Sequence, residues 1–196
     1  MTEMPDLAPA AARMAALLDG IPDGGLTAET PCPKYSLGDL VDHVGGLTIA
    51  FTAAAEKTAL PGEHEPSGDA SRLGDDWRRR IDANLTRLAG AWRQPDAWTG
   101  MTQAGPVEMP GEIAGIVALN ELVVHGWDVA KASGQPYAID DDTLAACQGF
   151  YAMFQEGDRG DAFGSVVAVP DDAPLLDRVI GLSGRHPNWS ASSQDR

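Results

Sequence analysis

The chain has 196 residues, an ordinary apolar fraction and a formal net charge of −15. That length supports one well-buried core, so a single domain is expected over residues 1–189, followed by a disordered tail at 190–196. So acidic a surface repels nucleic-acid phosphates, and no stretch approaches the roughly 20 unbroken apolar residues of a membrane span, so neither nucleic acid nor membrane is an expected partner.

The opening Met-Thr-Glu-Met-Pro-Asp lacks the basic and apolar regions of a signal peptide, which leads to a cytoplasmic expectation. A first helix is predicted from about Leu7 to Leu18, with Leu7, Ala11, Met14, Leu17 and Leu18 on one stripe and Gly20, Pro22 and Gly24-Gly25 ending it. Cys32 lies between Pro31 and Pro33, where the backbone is stiff and non-helical; it is either a reactive thiol or part of a rigid elbow. The second helix starts at Ser36, with Asp39 placed to complete a capping box. Its stripe is Leu37, Leu40, Val41, Val44, Leu47 and Phe51. His43 falls about 90° from the centre of that stripe, at the margin of the core. Gly45-Gly46 are expected to let a neighbouring helix or a ligand approach.

A loop is predicted around Leu60 to Gly68, and a third helix from about Ala70 to Trp92 with Leu73, Trp77, Ile81, Leu85 and Leu88 inward. Arg78-Arg79-Arg80, surrounded by Asp75, Asp76 and Asp82, reads as a solvated helix face rather than an anion site. Trp98 to Met109 carries turn residues and suggests a small β-hairpin, and Pro110 is expected as the first residue of the fourth helix. That helix runs to Gly134 and is apolar nearly all round, as a central bundle member should be. A further helix from about Asp140 to Phe154 opens on Asp140-Asp141-Asp142-Thr143, which reads as an N-terminal cap rather than a calcium loop. Cys147 sits among its apolar residues and is expected in the core. With no Cys-x-x-Cys motif, the two cysteines fit a reducing compartment. A last short helix is predicted near Leu175 to Leu182.

Against the apolar fourth helix, Glu121, His125 and Asp128 stand out. With Ile113 as zero they project at about 80°, 120° and 60°, forming one polar strip. A carboxylate on a buried helix is costly unless it is paired or holds a cation. Glu121 and His125, four residues apart, share a face, and His43 could join them from a facing helix. Three ligands from two helices would leave a divalent metal an open position, as in catalytic sites. The competing reading is two boundary histidines, one of them ion-paired to Glu121. His64 and His186 lie in proline-containing loops and are expected to be exposed. Phosphate-loop, nucleophile-elbow and His-Glu-x-x-His motifs are absent from the sequence.

Thr30-Pro31-Cys32-Pro33, then Asp39-Leu40-Val41-Asp42-His43-Val44, then Glu121-Leu122-Val123-Val124-His125-Gly126-Trp127-Asp128, resemble the DinB-like metal-binding bundles. More narrowly, they resemble the N-terminal domain of mycothiol-dependent maleylpyruvate isomerase and its actinobacterial relatives. The tail from Gly184-Arg185-His186 to Trp189 is similar to an uncharacterised metal-binding branch. The resemblance implies an all-α, DinB-like four-helix bundle with short extra helices. It also implies a divalent metal, usually zinc with nickel, iron or manganese as alternatives, on His43, Glu121 and His125. Mycothiol or a similar thiol becomes the expected cosubstrate of an S-transferase acting on an electrophilic small molecule. The alternative is a non-catalytic metal-binding or stress-response protein. Asp128 is either a carboxylate that orients His125 or an ordinary helix-surface acid. Relatives often have glycine and tryptophan where this chain has Lys34-Tyr35, a change at the rim of the site. The isomerase also continues into a second domain, so maleylpyruvate isomerisation itself is not the expected reaction. A homodimer through exposed bundle faces would be unsurprising.

Overall fold

Helices α1 (Ala8–Asp19), α2 (Leu37–Ala55), α3 (Trp77–Trp92) and α4 (Gly111–Ser133) form a four-helix bundle. In this computed structural model α2 packs on α3 and α4, and α1 packs on the same two from the other side. The structure describes residues 4–60, 67–154 and 164–191. Strands β1 (Met101–Ala104) and β2 (Val107–Pro110) make an antiparallel hairpin between α3 and α4, in register Met101↔Pro110 to Ala104↔Val107. Helices α5 (Asp141–Tyr151) and α6 (Leu175–Leu182) pack on each other, and α5 also packs on α4. The expected all-α architecture with a small hairpin is therefore the observed one.

Local chemistry explains the boundaries. Asp6 accepts a hydrogen bond from the Ala8 amide, so α1 begins one residue later than the apolar stripe suggested. At α2, Ser36 Oγ accepts from the Asp39 amide at 3.3 Å while an Asp39 oxygen accepts from the Ser36 amide at 3.1 Å, which completes the capping box. Asp140 accepts from the Thr143 amide at 2.8 Å, the cap expected for α5. The third helix departs from expectation. Ala70–Arg72 form only a 3-10 turn, and α3 starts at Trp77, because Gly74 turns into the left-handed region at φ +65° and breaks the run. Pro110 ends β2 rather than starting α4.

The core is built from the expected stripes: Met14, Leu17 and Leu18 of α1, Leu37, Leu40 and Val41 of α2, and Ile81, Leu85 and Leu88 of α3. Each such side chain contributes about 1.5–3 kcal/mol when fully buried. Gly45 lies against Ile81, where a Cβ would stand 3.3 Å from the isoleucine, whereas Gly46 has nothing within 4 Å. Only the first of the pair serves the close approach. Arg78 is not simply solvated: its guanidinium covers the Trp77 ring and donates to the Ile21 carbonyl at 2.7 Å. Cys147 is fully buried, and that burial pushes its thiol up to about 12. By length and composition α4 could cross a membrane, yet most of its most apolar window is buried inside the bundle. Residues 61–66, including His64, and the tail residues 192–196 fall outside the described residues.

Candidate metal centre

His43 is carried by α2 two turns beyond the capping box, and Glu121 and His125 are carried by the middle of α4. Because α2 and α4 pack directly together, the three side chains meet. One ligand atom from each lies within 4.8 Å of those from the other two. The His125 Nε2–Glu121 Oε2 distance is 3.0 Å, and the imidazoles of His43 and His125 stand nearly perpendicular with centroids 5.1 Å apart. Both histidines are buried, while the Glu121 side chain stays partly exposed.

Asp128, one turn on from His125, has no solvent exposure and accepts from His125 Nδ1 at 3.0 Å. Its partner from outside the bundle is Arg185, just beyond α6, which donates at 3.0 Å through a terminal guanidinium nitrogen. Arg185 also donates to the Ser183 carbonyl at 3.1 Å. Asp128 is thus a buried partner of His125 and no helix-surface acid. The role of Arg185 escaped the sequence reading; its only signal was a place in the Gly184-Arg185-His186 segment.

Electrostatics follow from this arrangement. Burial works against a charged His125, but hydrogen bonds to Asp128 and Glu121 outweigh it and raise the imidazole to about 9. Burial likewise opposes the Glu121 carboxylate, yet the bond from His125 holds it below its usual range. Both ring nitrogens of His125 lie 3.0 Å from carboxylate oxygens, and a cation bound at Nε2 would take the place of a proton there. Burial would also oppose a charged Arg185, but Asp128 keeps its pKa above the ordinary value. At Cys32, burial first and then Asp128 push the thiol up, despite the opposing influence of Arg185. A half-buried thiol in a turn where the one Thr30 hydroxyl proton is shared between the carbonyls of Cys32 and Tyr35 fits the rigid-elbow reading, not the nucleophile. Tyr35 borders the centre, its ring 5.1 Å from that of His43. His186 is exposed, as expected.

The donor set suits a divalent cation. Two imidazole nitrogens and one carboxylate oxygen are a zinc-type set, and ligand atoms around tetrahedral zinc lie about 3.4 Å apart. Separations here of 3.0 Å between Glu121 and His125, and no more than 4.8 Å among all three, need only small side-chain adjustment.

Over residues 7–130 the chain matches the family profile of the mycothiol maleylpyruvate isomerase N-terminal domain. It belongs to that family. Two uncharacterized proteins of Mycobacterium tuberculosis, from strains CDC 1551 and H37Rv, are each 24% identical over 176 residues, covering 87% of this chain and 91% of theirs. Among solved structures, mycothiol-dependent maleylpyruvate isomerase matches with a TM-score of 0.66 at 16% identity, over 96% of this chain and 90% of that one. A histidine-to-alanine variant of that enzyme matches with a TM-score of 0.64 over the same shares. At such identity these matches establish the shared fold. Arg185 lies beyond the residues that the family profile covers.

Proposed function

We propose that this protein holds a divalent metal, zinc in the first instance, on His43, Glu121 and His125. Its reaction would join a low-molecular-weight thiol such as mycothiol to an electrophilic small molecule. The observation that carries the reading is the convergence of three donor atoms within 4.8 Å of one another, from two packed helices, in a chain of this family. When bound, such a metal with an open position lowers the pKa of a thiol, so that thiolate forms near neutral pH.

The protein's own groups prepare that chemistry. Asp128 takes the Nδ1 proton of His125 in a hydrogen bond and so leaves Nε2 directed at Glu121 and the centre. Arg185 neutralises Asp128, which limits the negative charge accumulating around the site. Tyr35 walls the side of His43. The two cysteines are free, which suits a cytoplasmic, reducing setting where the thiol cosubstrate stays reduced.

Elemental analysis of freshly purified protein tests the centre: stoichiometric metal in the wild type, lost in His43→Ala, Glu121→Ala and His125→Ala. A wild type without metal sinks the reading. Turnover is tested by following thiol consumption with mycothiol and a panel of electrophiles, maleylpyruvate included.

A second reading, a non-catalytic metal-binding or stress-response bundle, draws on the tightness of the apolar cleft that Glu121 helps to line. Walled by Val44, Leu47, Phe51 and Leu122, it has a volume of about 10 Å³, room for about one water. Retained metal with no metal-dependent turnover across the panel would favour it.

A further inference from the structure

We propose that Tyr35, held in place by the segment 67–73, is the brace that fixes the orientation of the His43 imidazole; this rests on reading His43 as a ligand. The Tyr35 ring lies over His43 at 5.1 Å between centroids and a 36° tilt, while His125 meets the same imidazole edge-on at 5.1 Å. Contacts from two directions restrict rotation of the ring about its last side-chain bond.

Tyr35 is itself fixed from behind. Its amide donates to the Cys32 carbonyl at 3.0 Å, and its carbonyl accepts from Thr30 Oγ1 at 2.8 Å. Pro31 and Pro33 stiffen the same turn. Segment 67–73 then closes on the ring from outside. A Cβ on Gly68 would stand 3.0 Å from Tyr35 Cε1 and 2.3 Å from the Asp39 carbonyl oxygen, so only glycine permits this contact.

The segment is tied to the first turns of α2. The Ala70 amide donates to Asp39 at 2.9 Å, the Asp69 amide to Asp42 at 3.1 Å, and the Arg72 guanidinium to Asp42, which directly precedes His43. Gly38 completes the seat, since a Cβ there would lie 2.8 Å from that of Ala70. Thus the ring above His43 and the clamp that holds it are both anchored on the helix that carries His43. The brace needs the ring, not the phenol oxygen.

The test uses the full chain. In metal-free protein, the His43 ring signals in ¹H–¹³C spectra should lose their ring-current shift and broaden in Tyr35→Ala, and remain near wild type in Tyr35→Phe. With zinc loaded, release to a chelator should quicken about tenfold in Tyr35→Ala, stay unchanged in Tyr35→Phe, and quicken less in Arg72→Ala, which touches neither ring. Tyr35→Leu, which keeps bulk without a ring, replaces the alanine variant if that one does not fold. Unchanged His43 signals and release rates in the ring-less variants overturn the brace. A response in Tyr35→Ala with none in Arg72→Ala overturns the part assigned to segment 67–73. Should the wild type take up no zinc, the metal reading fails, and the spectra of the metal-free protein alone decide the brace.

Discussion

A carboxylate with no exposure, such as that of Asp128, is stable only while paired, and here His125 and Arg185 share it. Asp128→Asn keeps the shape but weakens the hold on the His125 Nδ1 proton. Metal affinity should fall about 10- to 100-fold, as read by competition with a chromophoric chelator. An unchanged affinity would mean that His125 is oriented by packing alone. Removing the other partner is a test of stability. Arg185→Ala leaves Asp128 with His125 only and should cost about 3 kcal/mol in urea unfolding. An Arg185→Ala/Asp128→Asn double variant should recover part of that loss, since it no longer buries an under-compensated charge. Purely additive losses would show that the two side chains do not act as a pair.

Among the elements, α2 has the clearest local specification, because its start is written in Ser36 and Asp39 and its inward face in a regular stripe. Ser36→Ala should cost about 1 kcal/mol. The Ser36 hydroxyl, first, and the Ala70 amide hold the Asp39 carboxyl below its usual value. A depressed folded-state pKa gives stability that is fully present above the unfolded value and is lost as pH falls through the folded one. The difference between wild type and Ser36→Ala should therefore hold at neutral pH and shrink on acidification through and below the usual carboxylate range. Urea titrations at a series of acidic pH values check this; a constant difference would exclude Asp39 from the cap. For α3, apolar spacing could not reveal its true start, because Leu73 lies inward although the chain there is not helical. Periodicity reports which residues face the core; it does not report a backbone interrupted at Gly74.

For the whole molecule, the sequence by itself determined the main helices with their inward faces, the small hairpin and the polar strip of Glu121, His125 and Asp128, while the bundle came from the family resemblance. These depend on local spacing: 3.6-residue stripes, caps, and i to i+4 neighbours on one helix. It also singled out His43 as a residue at the core margin. Spacing within α4 could not show that His43 reaches the pair, because that depends on how α2 packs against α4. The environment of Asp128 was equally hidden, since Arg185 arrives from 57 residues away. So was the setting of Tyr35, which sits between His43 and Gly68. Local pattern encodes helices and their faces, whereas contacts between distant segments arise only when the chain closes its core. The tertiary structure alone therefore decided which polar groups from distant segments, His43, Tyr35 and Arg185, joined the local strip on α4.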